Sequence, residues 1–448
     1  MLKLPATDPE RRIGAGVGGA GGPGQSGIAL LREGRDFLAP LNERFDLVAF
    51  DQRGVSIDCG PTPDPDPDLA EPHDVDAGEL ARRSREIGRL CLQRNPTLLP
   101  YLTTGNAARD LDRLRAALGE KRLTYIGGSY GTILGSTYSS LFPGRVRAMA
   151  LDGPVDDVWV NRPLEATREQ VMSFEGSLDR FAMLCARSPS CGFGGDDPET
   201  ALDALVDRLD RAPLPVPGRP GATIDGQALL VGLAELMYVP ALWPATAAML
   251  SQLEQGVTDL ASELIGIDLF GVNYDAYWAI TAADGDNPRG IAPYLTAVRH
   301  TWGMADHFWF LDGYSEARYG FWPVEGRGAY HGPMRAYGAS VKPLVVAVRH
   351  DPATPYRWGQ RLARDLDAHL LTVNGDSHTS LANPSVLQAT KRYVEDLVLP
   401  DEGATCTQPN PFRAAAAAAT SPSDLRRQIR RARRSTTLGM PAAALIGR

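Results

Sequence analysis

Gly127-Gly128-Ser129-Tyr130-Gly131 places a serine between small residues in the pattern G-x-S-x-G. Leu123-Thr124-Tyr125-Ile126 before it reads as a strand, and Ile133 to Leu141 after it reads as a helix. The serine therefore falls on a strand-to-helix turn, where a nucleophile elbow lifts a hydroxyl above the sheet edge. A serine hydroxyl is a weak nucleophile until a base takes its proton, and on such an elbow the chain order is serine, acid, histidine. Asp351 closely follows the predicted strand Leu344–Val348, and His378 lies in the loop Gly375-Asp376-Ser377-His378 after the predicted strand His369–Val373. His369 opens that strand at the end away from the site. Strand alternation turns His350 to the opposite side. Asp376 is too close to His378 in sequence to approach its other ring nitrogen easily. The pattern predicts Ser129 as nucleophile, His378 as base and Asp351 as the acid that orients the base, and the chemistry is acyl transfer through a covalent intermediate.

A tetrahedral intermediate needs two backbone N–H donors for its oxyanion. Tyr130, just after the nucleophile, supplies one. The loop Gly21-Gly22-Pro23-Gly24-Gln25-Ser26-Gly27 suits the other, because backbone without side chains can approach a substrate; Gly22 is the first choice and Gly21 the second. Gly14-Ala15-Gly16-Val17-Gly18-Gly19 matches G-x-G-x-x-G, but a dinucleotide site needs an apolar strand before it, and Asp8-Pro9-Glu10-Arg11-Arg12 is not one. The five cysteines contain no Cys-x-x-Cys pair, which argues against a structural zinc site. No metal or other cofactor is expected.

The elements that must position these residues alternate. Phe45 to Phe50 reads as a buried strand ending at Asp51-Gln52-Arg53-Gly54, Ala107 to Leu118 as a helix, and Val146 to Leu151 as a strand. The glycine-dense stretch from Gly14 to Gly27 reads as a loop or a system of tight turns, and Pro61 to Asp68 as an acidic surface loop. Val155 to Ser340 is mostly helix-like, as in Ala201–Leu209 and Ala228–Met237, before strand and helix patterns resume at Pro343 and Trp358. Strand–helix alternation on both sides of a helical block predicts a mostly parallel α/β sheet flanked by helices, with a large helical insertion. The expected division is a core over 1–158 and 341–412, a cap over 159–340, and a disordered Ala/Arg-rich tail over 413–448.

The chain has 448 residues, 43% hydrophobic and 22% charged, which excludes a wholly disordered or fibrous protein. No run of about 18 apolar residues is present, so no membrane span is expected. The net charge of -8 argues against a nucleic-acid partner, and it is uneven. Eight Arg against one Asp in 413–448 leave -15 on the first 412 residues.

The chain resembles the α/β-hydrolase peptidases of the prolyl aminopeptidase family, most closely the secreted tripeptidyl aminopeptidase branch of actinobacteria. The resemblance rests on GGPGQSG (21–27), DQRG (51–54), TTGNAARDLDRLRAALG (103–119), GGSYGT (127–132), LDGPVDD (151–157), DPATPY (351–356) and GDSH (375–378). It implies an α/β-hydrolase fold with a large helical cap insertion, the same Ser129, Asp351 and His378, and removal of tripeptides or single residues from a free N-terminus. It implies bridges Cys59–Cys91 and Cys185–Cys191, with Cys406 odd, and hence a secreted or cell-envelope protein. No signal peptide is visible, which by itself would suggest the cytoplasm. The branch usually carries a leader and two strands before the glycine loop, and only about 12 residues precede the glycine-rich stretch here; the chain start is therefore expected to be truncated. An aminopeptidase needs an acid for the substrate ammonium, and the cap offers Glu235, Glu175 and Asp284. Tyr277, Trp278, Trp302, Phe308 and Trp309 line a pocket or fill the core. The partner is then a peptide or a small acyl substrate. An esterase or amidase of the same fold, and a non-catalytic hydrolase-like binding protein, are the alternatives.

Overall fold

The computed structural model describes residues 1–63, 72–265, 271–336 and 338–414. Most of the expected Pro61–Asp68 loop, and the expected tail beyond residue 414, lie outside them.

Ten strands form among the described residues: Leu2–Leu4 (β1), Gly14–Gly19 (β2), Phe45–Ala49 (β3), Leu123–Gly128 (β4), Val146–Asp152 (β5), Leu214–Pro215 (β6), Thr223–Ile224 (β7), Leu344–Val348 (β8), His369–Asn374 (β9) and Thr405–Thr407 (β10). Eight of them make one sheet in the order β1-β3-β2-β4-β5-β8-β9-β10. Only β1 runs antiparallel to its neighbour; the remaining pairs are parallel. Every residue of β3 and β8 is buried, as a parallel sheet covered on both faces requires.

The expectation of a loop at Gly14–Gly19 is corrected. This stretch is a central strand, flanked by β3 and β4, with Gly16 opposite Leu47 on one side and Thr124 on the other. Ladder bonds come from the backbone, and two neighbours outweigh the weak strand preference of glycine. Lack of side chains also makes room: a Cβ on Gly19 would stand 1.8 Å from the Tyr125 hydroxyl oxygen. Two strands, β1 and β2, thus do precede the glycine loop.

The helices before the insertion are Gly27–Glu33 (α1), Ala39–Asn42 (α2), Ala77–Arg94 (α3), Thr104–Ala117 (α4) and Tyr130–Leu141 (α5). Helix α4 starts three residues earlier than the apolar spacing indicated, because the Thr103 side chain accepts from the Asn106 N–H and caps it. Between β5 and β8 come Val158–Asn161 (α6), Pro163–Ala186 (α7), Pro198–Arg211 (α8), Gly226–Met237 (α9), Trp243–Glu254 (α10), Ala261–Leu264 (α11), Tyr274–Asp284 (α12) and Ala292–Trp302 (α13). Helix α8 shows why: Asp197 caps it, Pro198 opens it, and Leu202, Leu205 and Leu209 recur on one buried face. Tyr356–Asp365 (α14), Pro384–Asp396 (α15) and Pro411–Ala414 (α16) complete the chain; α16 takes in Arg413 and the following alanine, which the sequence had assigned to the tail. Among the described residues no helix is long and apolar enough to cross a membrane.

The insertion does not stand apart. One apolar cluster runs from Tyr125 and Leu151 of the sheet through Phe174 and Leu233 to Trp243 and Met249 of the insertion. Cys59 is bonded to Cys91 of α3, and Cys185 at the end of α7 to Cys191. Cys406 is free and buried.

Two glycines should respond oppositely to alanine. A Cβ on Gly131 would lie 2.4 Å from the Gly19 carbonyl oxygen, whereas one on Gly176 of α7 meets nothing within 4 Å. Urea denaturation of Gly131→Ala is expected to show a loss of about 2–3 kcal/mol from overpacking. Gly176→Ala is expected to gain about 0.5–1 kcal/mol, because alanine loses less backbone entropy in a helix.

Candidate active site

Ser129 sits between β4 and α5 at φ 55° and ψ -126°, a conformation that costs a non-glycine residue about 1–3 kcal/mol. The surroundings over-determine it. Its N–H donates to the Asp152 carbonyl at 2.9 Å, and its own carbonyl accepts from the Thr132 N–H at 2.8 Å and the Thr132 hydroxyl at 2.6 Å. The Thr132 hydroxyl in turn accepts from the Val155 N–H at 2.8 Å. The turn closes only with glycine at its flanks: a Cβ on Gly127 would lie 2.5 Å from the Gly131 carbonyl oxygen. That oxygen accepts from the Tyr125 hydroxyl at 2.7 Å.

Asp351 follows β8 and is 1% exposed. Its carboxylate accepts from the Ala353 N–H (2.9 Å), the Thr354 N–H (2.8 Å) and the Thr354 hydroxyl (2.9 Å). The His378 Nδ1 lies 2.9 and 3.0 Å from its two oxygens. Nδ1 therefore faces an acceptor already held by three donors, the geometry in which this nitrogen donates and Nε2 is left to accept. Helix α7 fastens this loop from above, through Gln170 Nε2 to the Ala353 carbonyl and the Ser173 hydroxyl to the Asp351 carbonyl, each 2.7 Å. Below it, Arg361 of α14 pairs with Asp156 and with Glu169 of α7.

His378 is held from the insertion as well. Its N–H donates to the Tyr238 carbonyl at 3.2 Å, and its ring meets the Tyr238 ring edge-on at 5.3 Å. Ser129 Oγ and His378 Nε2 are both sealed from solvent, and neither makes a hydrogen bond among the described residues. The structure closes the contact between Asp351 and His378 in a buried setting, and leaves Ser129 Oγ and His378 Nε2 each buried without a hydrogen bond among the described residues. A cavity of about 460 Å³ lies alongside, lined by His378, Tyr238, Pro240, Thr379 and Gln408.

The other candidates separate. Asp376 pairs with Arg180 at 2.7 Å, and His369 faces Glu402 at 3.6 Å. The His350 N–H donates to the Gly375 carbonyl at 3.2 Å. The Gly21 N–H is engaged by Gln25 Oε1 at 3.2 Å, whereas Gly22 turns at φ 96°. Glu175 is corrected as an ammonium ligand: its carboxylate accepts from the His307 N–H (2.8 Å), the Phe308 N–H (2.5 Å) and His307 Nδ1 (3.2 Å). It braces the insertion. Glu235 is buried on α9, one turn before the Tyr238 that packs on His378. Asp284, at the end of α12, receives Thr104 and reaches Tyr130 through it. Tyr277, Trp278 and Phe308 are core residues, while Trp302 is exposed.

The sequence reading missed Asp152. Its buried carboxylate accepts from the Ser380 N–H (2.7 Å), the Ser380 hydroxyl (2.9 Å) and the Leu381 N–H (2.7 Å), tying the loop that carries His378 to the end of β5. Burial pushes this carboxyl up to about 6 against those three donors. The signal was present in LDGPVDD, a motif noted without a role for its first acid.

Comparison with known proteins fits this geometry. A family model of the alpha/beta hydrolase fold matches residues 20–210, and one of TAP-like proteins matches residues 313–406. The serine protease Hip1 of Mycobacterium tuberculosis is 34% identical over 450 residues, covering 91% of this chain and 83% of that protein. A protein of the same organism named carboxylesterase B is 31% identical, with 91% and 82% covered. The tripeptidyl aminopeptidase of Streptomyces lividans is 29% identical, with 86% and 75% covered.

Asp152→Ala strips three donors of their acceptor. It is expected to cost about 2–4 kcal/mol in urea denaturation and to lower turnover about 10–100-fold by loosening His378. His307 gives a pH signature. Burial lowers its pKa, but Glu175 and Asp203 outweigh this and raise it to about 9. A histidine raised in the fold contributes stability that is complete below about 6.5 and lost as pH rises through about 9. Denaturation midpoints of the wild type should fall across that window, and His307→Asn should flatten the fall.

Proposed function

The chain belongs to the α/β-hydrolase family, in its TAP-like group, and is a serine hydrolase; from that premise we propose an exopeptidase that releases tripeptides or single residues from free N-termini through an acyl-enzyme on Ser129. His378 Nε2 takes the Ser129 hydroxyl proton as Oγ attacks the scissile carbonyl carbon. The N–H groups of Tyr130 and Gly22 receive the oxyanion. His378 then gives its proton to the departing amine, the C–N bond breaks, and a water deprotonated by the same nitrogen releases the acyl group. Asp351 holds Nδ1–H and stabilises the imidazolium formed in between. The observation that carries this reading is the closed Asp351–His378 pair, 2.9 Å apart and wholly buried, beside a serine on a strained elbow.

Restriction to chain ends follows from enclosure. Ser129 is 0% exposed, so a rigid protein surface cannot reach it, and a narrow flexible terminus needs the smaller opening of the site. Glu235 is assigned to the substrate ammonium, since it is buried and one helical turn from the ring on His378. The acidic body draws in a positively charged terminus. Two disulfides fit an oxidising compartment, and a secreted or cell-envelope location goes with this reading. The binding-protein alternative rested on absent N-terminal strands, and β1 and β2 occupy the sheet.

An esterase is the second reading, favoured by the relative named carboxylesterase B; the same triad would attack an ester. A substrate panel separates them: tripeptidyl and single-residue p-nitroanilides, N-blocked versions, and p-nitrophenyl esters. Free-amine peptides are expected to react best, with Ser129→Ala losing at least about 10³-fold. Glu235→Gln is expected to raise KM for free but not blocked peptides. Blocked peptides reacting as well as free ones would overturn the exopeptidase reading, and turnover of esters alone would favour the second.

A further inference from the structure

We propose that helix α12 is a strut whose two ends, Asn273 and Asp284, position the two walls of the oxyanion hole. The inference rests on the serine-hydrolase mechanism above, but not on the identity of the substrate.

At the first end, Val272 forms an antiparallel bridge with Gln25, and the Asn273 N–H donates to the Gly24 carbonyl at 3.2 Å. The approach is backbone on backbone: a Cβ on Gly24 would lie 2.6 Å from the Asn273 carbonyl oxygen. Gln25 passes the constraint on, since its Oε1 receives the Gly21 N–H, one residue before the proposed donor Gly22. The Asn273 side chain works both ways. Its oxygen caps α12 on the Asp275 and Ala276 N–H groups. Its Nδ2 donates to the carbonyls of Val55 (2.9 Å) and Ile57 (2.8 Å). Asp275 adds a bond from the Cys59 N–H at 2.8 Å, next to the disulfide with Cys91.

At the other end, the Thr104 N–H lies 2.9 Å from both oxygens of Asp284, which is 2% exposed. The Thr104 hydroxyl also donates to Asp284, and it lies 2.7 Å from the Tyr130 hydroxyl. One hydroxyl has one proton. Because Thr104 gives its proton to the carboxylate, it must accept from Tyr130. The chain of donation therefore runs Tyr130 to Thr104 to Asp284, and it fixes the side chain of the residue whose N–H is the first oxyanion donor. The Tyr130 ring is also buried against Trp159, edge-on at 5.9 Å. A carboxylate this deep is costly to desolvate, and the two groups that donate to it, the N–H and the hydroxyl of Thr104, both belong to the threonine that contacts Tyr130.

This assignment differs from that of an ammonium ligand, and one probe separates the two. A fluorophosphonate phosphonylates Ser129 Oγ with loss of fluoride; its P=O oxygen needs the oxyanion hole, and it carries no amine. Labelling rates would be measured for Asp284→Asn, Thr104→Val and Asn273→Asp, the last keeping the helix cap but losing the donor to Val55 and Ile57. Each is expected to label about 10–100-fold more slowly, with kcat on the best substrate falling in parallel and KM little changed. Thr104→Ser, which restores the hydroxyl, should rescue both. Thermal melting would identify any variant that has lost its fold, and the Thr104 pair then carries the test. Labelling within twofold of wild type in folded Thr104→Val and Asp284→Asn would overturn the strut. A rise in KM confined to free-amine peptides would return Asp284 to ammonium binding and also overturn it. Wild type that labels but cleaves no peptide removes the exopeptidase reading and leaves the strut standing; wild type that does not label at all overturns both.

Discussion

The close approach of two backbones, the end of strand β2 and the first turn of helix α5, is the constraint on which the rest of the structure depends. The Gly19 carbonyl oxygen lies 2.4 Å from where a Cβ of Gly131 would be, and the Gly131 carbonyl oxygen 2.5 Å from where one of Gly127 would be. No side chain fits in either place. With glycine there, the first turn of α5 can close against the end of β2, and Ser129 is held in a conformation it would not choose alone. Tyr125 fills the space the glycines leave and ties the turn with one hydrogen bond. The glycine-rich character of β2 is a condition for the nucleophile's geometry.

The insertion is a scaffold as much as a cover. Helix α7 fastens the loop of Asp351, Tyr238 at the end of α9 holds His378 by backbone and ring, and α12 reaches the glycine loop and the Thr104–Tyr130 pair. The apolar cluster is continuous from sheet to insertion, so the two parts cannot separate as rigid bodies without exposing core.

Buried carboxylates carry much of this positioning. Asp152, Asp284 and Asp351 each lie within 3% of full burial, and each is surrounded by backbone N–H and hydroxyl donors rather than by a surface cation. A carboxylate can accept several donors at once. It can therefore gather a loop that has no regular secondary structure, at a desolvation cost that its donors offset only in part: burial still raises the carboxyls of Asp152 and Asp284 to about 6 and about 7. Glu175 does the same for the segment at His307.

The strand–turn–helix context of Ser129 and the pairing of Asp351 with His378 rather than with His369 or His350 were legible in the chain, because they follow from local backbone preference and from the direction of parallel strands. Gly14–Gly19 was not: its weak intrinsic preference reads as turn, and only β3 and β4 on either side make it a strand. The acids show the same division. Sequence offered Glu175, Glu235 and Asp284 alike as acids for a substrate ammonium, and it gave Asp152 no role. What a buried carboxylate does depends on donors brought to it from far along the chain. Thr104 and Asp284 are 180 residues apart, and Asp152 and Ser380 are 228 apart. Short-range propensities carry no record of such meetings. Tertiary packing decided them, within the core for Asp152 and between core and insertion for Asp284, and with them which acids brace the fold.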